Sequence, residues 1–236
     1  VALSNFFGFS VVVLNLFLFM LPVFFFDLAQ NKTLSSSKTI TFWKEAGNKI
    51  TPPKASLIIA ITLVALYLEF YLLNFWIADR KYALGYNLNK AGEYVQAYTN
   101  LSEASKMLPS EDLYKDEFSI NMATLSILLA DQKHSTQAAQ FASEAKRISD
   151  EITQKHPKNV VFLKTRARVA FALAQIDPRY LELAIETVNK TRELAPTDAK
   201  LVYNLALFYN QKGDTDKTIE YFEEALKLKP NYLDVY

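Results

Sequence analysis

The apolar residues of this chain are gathered in two long runs near its N-terminal end. Residues 1–26 contain no charged side chain, and residues 55–78 contain only Glu69. The first run holds 21 consecutive residues from Phe6 onward, which as a helix reach roughly 31 Å and match a bilayer core of about 30 Å. The second run, of 24 residues, can span with some tilt. The pattern therefore predicts two transmembrane helices.

Two other interpretations of these runs are weaker. A buried helical hairpin of a soluble protein would need about 45 nearly uncharged residues in its core, which exceeds what such a hairpin ordinarily holds. A signal peptide fits the first run poorly, because no basic segment precedes it and no small-residue cleavage site lies before Asp27.

The stretch between the two runs carries a basic excess. Residues 27–54 hold five lysines against Asp27 and Glu45, a net charge of +3. By the positive-inside rule this loop is expected to be cytoplasmic, which places everything after residue 78 outside the cytoplasm. Arg80 and Lys81, just after the second run, work against this bias.

After residue 78, small residues and prolines recur at a fixed spacing. Near the start, the intervals 7, 5, 7 and 5 separate Gly85, Gly92, Ala97, Ala104 and Pro109. At the C-terminal end the same intervals separate Ala206, Gly213, Thr218, Ala225 and Pro230. A small residue lets two helices approach, a glycine makes the turn, and a proline stops the second helix. The spacing predicts tetratricopeptide (TPR) repeats.

Between these two repeats the pattern is stretched. The stop prolines are 48, 39 and 34 residues apart, at Pro109, Pro157, Pro196 and Pro230. The second repeat is predicted to have a helix over about 113–130, a turn over 131–134, and a second helix capped by Ser135. The third repeat is predicted to run over about 160–174, turn at 177–178, and return over 184–194. Four repeats exceed the roughly three that a continuous core needs.

The predicted fold class is all-α, with two transmembrane helices followed by a TPR-type α-solenoid of about four helix-turn-helix repeats. The predicted domains are a span at 1–26, a loop at 27–54, a span at 55–78 and a repeat domain at 79–236. The predicted repeats cover about 79–110, 111–158, 159–197 and 199–232.

The composition argues against a catalytic, metal-binding or nucleic-acid-binding site in this chain. A net charge of +1 gives no support to a nucleic-acid surface, and the absence of cysteine excludes thiolate catalysis and cysteine-based metal sites. His134 and His156 have no set of acidic ligands near them in sequence, so both are expected to be solvated. Five glycines leave none for a phosphate loop. No catalytic residue, cofactor or metal ligand is predicted, and enzymatic activity of a longer parent protein stays open.

Binding is the better hypothesis, because the first helix of each repeat lines the inner wall of a TPR solenoid. The predicted partner-binding residues on this wall are Tyr82, Tyr86, Asn89, Lys90, Tyr203, Leu207, Asn210 and Gln211. Asn and Lys there are suited to a peptide backbone or a carboxylate, and exposed Tyr supplies contact area. The alternative for Tyr82, Tyr203 and Leu207 is packing against a neighbouring repeat.

The order of features resembles the C-terminal part of bacterial O-antigen ligase family membrane proteins that end in TPR repeats. The resemblance is carried by residues 4–12 (SNFFGFSVV) and by Trp76, Asp79, Tyr82 and Gly85 at the junction with the first repeat. It implies an enzyme that transfers glycan from a polyprenyl-diphosphate carrier, with catalytic Arg and His in an external loop. That loop is expected upstream of Val1, and nothing in this chain matches it.

Two functions therefore remain in view. In the first, the chain is the C-terminal part of a ligase, and its repeats recruit a protein or glycan acceptor at the membrane surface. Membrane lipid is a further expected partner, through the two predicted spans. In the second, it is a non-enzymatic, membrane-tethered scaffold for secretion or envelope assembly. Both place it in a bacterial cytoplasmic membrane with the repeats outside. Because the chain begins at Val1 without an initiator Met, we expect it to be part of a longer protein.

Overall fold

The computed structural model describes residues 52–233, and this part of the chain is built from α-helices alone. The eight helices found there are α1 (Pro52–Lys90), α2 (Tyr94–Met107), α3 (Asp112–Asp131), α4 (Ser135–Lys155), α5 (Val160–Leu173), α6 (Tyr180–Leu194), α7 (Ala199–Lys212) and α8 (Thr215–Leu228). The chain forms two compact units, residues 1–60 and residues 61–236, and the helix pairs belong to the second. The prediction of an all-α, helical-repeat fold is confirmed for the described residues.

Helix α1 joins two segments that the sequence analysis treats as separate. It begins at Pro52, where a proline is tolerated because the first turn needs no backbone donor. It then runs without a break for 39 residues, past the predicted end at residue 78 to Lys90. Within residues 63–77 each large apolar side chain is 40–71% exposed, and the first buried residue is Ala78. This part of α1, residues 63–77, is called the exposed stretch below.

The two predicted transmembrane spans, unlike the repeats, are not confirmed by the structure. Among the helices of residues 52–233, none combines the length and the apolar character that crossing a bilayer requires. The predicted span over residues 55–78 is therefore not supported, and its exposed stretch is interrupted by the polar side chains Glu69 and Asn74. The predicted span over residues 1–26 and most of the basic loop lie outside the described residues.

Small residues allow the paired helices to lie close together. Five alanines at helix contacts are completely buried, namely Ala97, Ala104, Ala145, Ala184 and Ala225. At Gly85 of α1, a Cβ atom would lie 2.7 Å from Cγ and 3.2 Å from the backbone nitrogen of Leu101 in α2. Ala206, at the matching place in the last repeat, is also fully buried. The structure thus places small residues at helix contacts, where the spacing predicts them.

The turns within the first, second and fourth repeats use a residue in the left-handed conformation. Gly92 and Gly213 adopt φ of 84° and 81°, as their predicted turn role requires. In the second repeat Lys133 takes this place with φ of 63°, a conformation that costs a non-glycine residue about 1 kcal/mol. The predicted cap is wrong, since Ser135 is the first residue of α4 and His134 precedes it without a side-chain cap.

Three helix starts in the second half of the chain are capped by side chains, and at the last of them the carboxylate of Asp214 accepts from the backbone nitrogen of Lys217 at 3.1 Å. The carboxamide oxygen of Asn159 accepts from the backbone nitrogens of Val161 and Phe162, at 3.0 and 3.4 Å. The carboxylate of Asp198 accepts from the backbone nitrogen of Lys200 at 3.0 Å. Such caps satisfy donors that the first turn of a helix leaves free.

The second repeat is longer than the others, with α3 and α4 of 20 and 21 residues against 14 for α5 and α7. Its additional turns bring the start of α3 to the end of α4. There Nε2 of His156 lies 2.8 Å from Oδ2 of the buried Asp112, and Lys155 pairs with the same carboxylate. The ring of His156 also packs on Phe162. The expectation that His156 is solvated needs one correction: its side chain is 37% exposed, but its ring is held against Asp112 and Phe162.

Replacing Gly85 with Ala is expected to lower the free energy of unfolding by about 1–3 kcal/mol, because the added methyl group displaces the fully buried Leu101. Urea unfolding followed by circular dichroism measures the effect. The control is Asn87→Ala, an exposed site on the same helix, which should change the free energy by less than about 0.5 kcal/mol. Equal midpoints for the Gly85 variant and the parent chain would contradict the close-contact role.

Candidate partner-binding groove

The first helices of successive repeats form one continuous wall. It consists of residues 79–90 of α1 together with α3, α5 and α7, and it is called the groove below. Helix α3 packs directly on α5, and Tyr82 of α1 stacks on Tyr114 of α3. In helical-repeat arrays this wall is the concave binding surface. The predicted site residues all belong to it.

Three tyrosines and a carboxylate meet where α1 joins α3. The ring centroids of Tyr82 and Tyr114 are 4.7 Å apart, and those of Tyr82 and Tyr86 are 6.1 Å apart. The hydroxyl of Tyr114 donates to Oδ1 of Asp79 at 3.3 Å. Nζ of Lys90 lies 4.2 Å from the ring centroid of Tyr86, within the range of a cation–π contact.

A chain of side-chain amides links three helices beside these rings. Nδ2 of Asn89 donates to Oε1 of Glu117 at 2.7 Å. Nδ2 of Asn121 donates to Oδ1 of Asn89 at 2.9 Å and to the backbone oxygen of Tyr94, the first residue of α2, at 3.0 Å. Asn121 is completely buried, so this arrangement fixes how α1, α2 and α3 are aligned.

Burial shapes the electrostatics of the groove. It raises the pKa of Asp116 from 3.8 to about 7, although a hydrogen bond from Thr165 and the positive charge of Arg168 oppose the shift. Burial likewise raises the pKa of Glu117, against the hydrogen bond from Asn89 and the charges of Arg168 and Lys90. The pKa of Tyr82 rises to about 12, through burial and then through the nearby carboxylates, Glu117 first. A buried acid, Asp116, and a half-buried one, Glu117, therefore lie near Tyr82.

The predicted residues of α7 are less closely associated with one another. Tyr203 contacts the rings of Phe222 and Tyr232, at 5.8 and 5.1 Å between centroids, and so packs within its own repeat and the segment after it. Leu207 packs on the apolar core that α5, α6 and α7 share.

The remaining two predicted residues lie at the end of α7. Oε1 of Gln211 accepts from Nε2 of Gln175 at 3.2 Å, and Asn210 is exposed. The structure brings together the four predicted residues of α1, with Tyr82 packed on the neighbouring repeat. The four residues of α7 stand apart from them, and binding by any of the eight stays a prediction.

The sequence analysis missed four residues of the groove: Asp116, Glu117, Asn121 and Arg168. Three of them lie on α3, whose extra turns conceal the register of the repeat. A signal was present, because Asp116, Glu117 and Asn121 alternate with large apolar residues in the segment 113–123, which also contains Lys115 and Ser119. Such polar residues within an apolar face are expected to find hydrogen-bonding partners on a facing helix.

The described residues, 52–233, offer no set of side chains suited to binding a metal ion. In the part of the chain that the structure describes, no group of three or more His, Asp or Glu side chains is arranged to hold a metal ion. The polar groups of the groove are amides, hydroxyls, carboxylates and cations, which are suited to hydrogen bonding and charge pairing with a partner.

Comparison with known proteins supports the repeat fold. A family model described as "Tetratricopeptide repeat" matches residues 199–232. The crystal structure of a thermophilic TPR protein from Thermus thermophilus is similar, with a TM-score of 0.53 and 19% identity over 65% of this chain and 75% of that chain. A MamA fragment from Desulfovibrio magneticus is similar at a TM-score of 0.47 and 18% identity, over 66% of this chain and 77% of its own. No curated protein matches the chain.

These similarities concern the fold. The Thermus structure supports a TPR-like solenoid over the described helices, and the family match places a tetratricopeptide repeat at α7 and α8. They do not extend to the O-antigen ligase family that the sequence resembles.

Replacing Asp116 with Asn is expected to change how stability depends on pH. Since the pKa of Asp116 is about 7 in the folded chain and near 3.8 when unfolded, the fold holds a proton that the unfolded chain releases. Through this group stability falls as pH rises from about 4 to about 7. Asn does not ionise, so the free energy of unfolding of the Asn variant does not fall in this way. At pH 8 the variant should be more stable than the parent by a few kcal/mol, because each unit of pKa shift corresponds to about 1.4 kcal/mol.

Urea unfolding at pH 5 and pH 8 provides the measurement. The matched control is Asp131→Asn, at an exposed carboxylate in the last turn of the same helix. Parallel pH dependence of the Asp116 variant and the parent chain would show that Asp116 is not protonated in the fold.

Proposed function

We propose that this chain is a TPR module that binds a protein or peptide partner in the groove. The observation that carries the proposal is that two exposed side chains of the inner wall, Arg168 and Asn210, have no ion pair or side-chain hydrogen bond among residues 52–233. On α5, by contrast, the half-buried Lys164 pairs with Asp198. One turn later the exposed Arg168 forms no ion pair within residues 52–233, although it lies near the carboxylates of α3.

The far end of the groove offers complementary chemistry. The exposed amide of Asn210 can both donate to and accept from a peptide backbone. Leu207, one turn earlier on α7, is half-buried and leaves apolar area beside it. A segment bound along the wall would thus meet a cation, an apolar contact and an amide in succession. Such a mixture favours an extended peptide or a protein loop over a small molecule.

Replacing Arg168 and Asn210 together with Ala is expected to weaken peptide binding by about tenfold or more, because charged and amide hydrogen bonds to the ligand are lost. The probe is a peptide selected from a display library against the whole chain, and its affinity is measured by fluorescence anisotropy. Helical content should stay unchanged, since both side chains are exposed.

The matched control removes a cation and an amide from a second helix instead. Lys190 and Asn189 are both exposed on α6, outside the groove, and replacing both with Ala should leave peptide binding intact. If the two double variants bind the selected peptide equally well, the partner surface lies elsewhere on the chain.

We propose secondly that the exposed stretch of α1 holds the module against a lipid membrane. The support is that apolar side chains surround this helix on all sides, where an ordinary surface helix has a polar face. Trp76 lies under the guanidinium of Arg80, at 6.0 Å, at the end of the stretch. An aromatic ring beside a cation is typical of a membrane–water interface. The apolar sequence of residues 55–78 supports the same proposal.

The absence of cysteine from the chain allows this to be tested at single sites. Leu66→Cys, labelled with a polarity-sensitive fluorophore, is expected to shift its emission to shorter wavelength when phospholipid vesicles are added, because the label leaves water. A lipid-borne quencher should then reduce its emission. The control is Ile219→Cys, a similarly exposed apolar site on α8, where no shift is expected. Identical responses at the two sites would refute the attachment.

The ligase resemblance supports a narrower proposal, in which the groove orients a protein or glycan acceptor for a glycan transferase in the same bacterial membrane, with the repeats outside the cytoplasm. A scaffold for secretion or envelope assembly would use the same groove. The sequence upstream of Val1 distinguishes them: further spans with an Arg- and His-containing external loop favour the ligase, and a nearby start codon favours the scaffold.

A further inference from the structure

The end of the groove at α1 and α3 combines aromatic rings with unpaired acids. The tyrosine–carboxylate site is defined by Tyr82, Tyr86, Tyr114, Asp79, Asp116 and Glu117. None of its three carboxylates forms an ion pair within residues 52–233. All three carboxylates lie near enough to Tyr82 to raise the pKa of its hydroxyl. The negative potential is therefore concentrated on an aromatic surface.

The chain already places one cation against this surface. Nζ of Lys90 lies 4.2 Å from the ring centroid of Tyr86, and its charge acts on Glu117. Lys90 itself is exposed and forms no ion pair within the described part of the chain. An ammonium group on a flexible side chain thus occupies the site, held by an aromatic face and a distant charge. Its position shows which chemistry the surface accepts.

A second, independent observation is an acceptor without a donor. Oδ1 of Asn121 is buried and has no hydrogen-bonding partner. The nitrogen of the same amide donates to Asn89, which in turn donates to Glu117. Both donors of the Asn121 amide are used, so its orientation is fixed and its oxygen stays an acceptor. A buried acceptor left without a partner costs stability, so the hydrogen bonding at this end of the groove is incomplete among the described residues.

We propose that the tyrosine–carboxylate site binds a lysine or arginine side chain of a protein partner, and that Lys90 occupies the site until the partner arrives. The proposal deepens the groove function above and rests on it. Lys and Arg match the site because they are cations, they stack on aromatic rings, and they carry donors only. Arg168, the other nearby cation, is directed to the groove from α5 and is left free for a different part of the partner.

Overall charge does not account for such binding. The whole chain has a net charge of +1, so a basic peptide is attracted only where carboxylates are locally in excess. Above about pH 7, where Asp116 is ionised, the site has three carboxylates against the two cations Lys90 and Arg168, and neither cation forms an ion pair with one of them. The alternative is an acidic partner whose carboxylate binds Lys90 and Arg168. Comparing a basic with an acidic peptide distinguishes these two kinds of partner.

The probe is a short, fluorescein-labelled Gly-Ser peptide that bears Arg and Lys residues, and its reference carries citrulline and acetyl-lysine at the same places. At pH 8, where Asp116 is ionised, the basic peptide is expected to bind the whole chain, and the neutral and an acidic peptide are not. Glu117→Gln should weaken binding of the basic peptide by about threefold to tenfold. Because Gln keeps an oxygen that can accept from Asn89, the fold should be preserved.

Lys90→Ala is expected to have the opposite effect, a gain of about threefold, because it removes the competing internal cation. A merely structural role of Lys90 would not increase affinity. The control is Glu186→Gln, at an exposed carboxylate on α6 outside the groove, which should leave binding unchanged. Equal binding of basic and neutral peptides, preference for the acidic peptide, or loss of affinity in the Lys90 variant would overturn the proposal.

Failure here is distinguishable from failure of the groove function. If the display-selected peptide still depends on Arg168 and Asn210 while Glu117→Gln and Lys90→Ala leave the basic peptide unaffected, the groove binds partners and the cation site is refuted. If neither peptide depends on its residues, the groove itself is refuted.

Discussion

The fold depends on how closely the two helices of a repeat can approach. Gly85 faces Leu101 at a distance that leaves no room for a methyl group, and alanines are completely buried at the corresponding contacts of later repeats. Each helix pair covers only one of its faces, so the next pair must cover the other, and the core becomes continuous only through stacking. The groove is a consequence of this stacking, because the first helices are left in a row on one side.

The sequence predicts the helices of the regular repeats and also those of the lengthened second repeat, within a few residues. It does not predict the conformation of the second turn or the side-chain contacts between repeats. Gly92 and Gly213 identify their turns, since only glycine adopts a positive φ without strain. Lys133 adopts a similar φ in the second repeat, and no local signal marks it. The contact of Asn121 with Asn89 joins residues 32 positions apart, and such a pairing follows from the register between α1 and α3, which a single sequence does not specify. Helix α1 continues past residue 78 because no proline interrupts it.

Polar groups inside the groove serve two purposes that oppose each other energetically. Asn89 and Asn121 align three helices by hydrogen bonds, which favours one arrangement of the first two repeats. Asp116 and Glu117 are held in the same region without direct counter-ions, and their burial costs free energy. Proteins retain such groups at surfaces that act on other molecules more often than at surfaces that only support the fold.

Because α1 is continuous, it can transmit a rotation from one of its ends to the other. Its exposed stretch and its share of the groove, residues 79–90, lie on one rod without a flexible joint, so a rotation imposed on one is carried to the other. A helix turns by about 100° per residue and advances about 1.5 Å. The rotation of residues 63–77 about the helix axis therefore sets the direction in which Tyr82, Tyr86 and Asn89 point. A surface that binds residues 63–77 would fix that direction. Insertion of a single residue near Ala78 would reorient the two parts by more than a quarter turn.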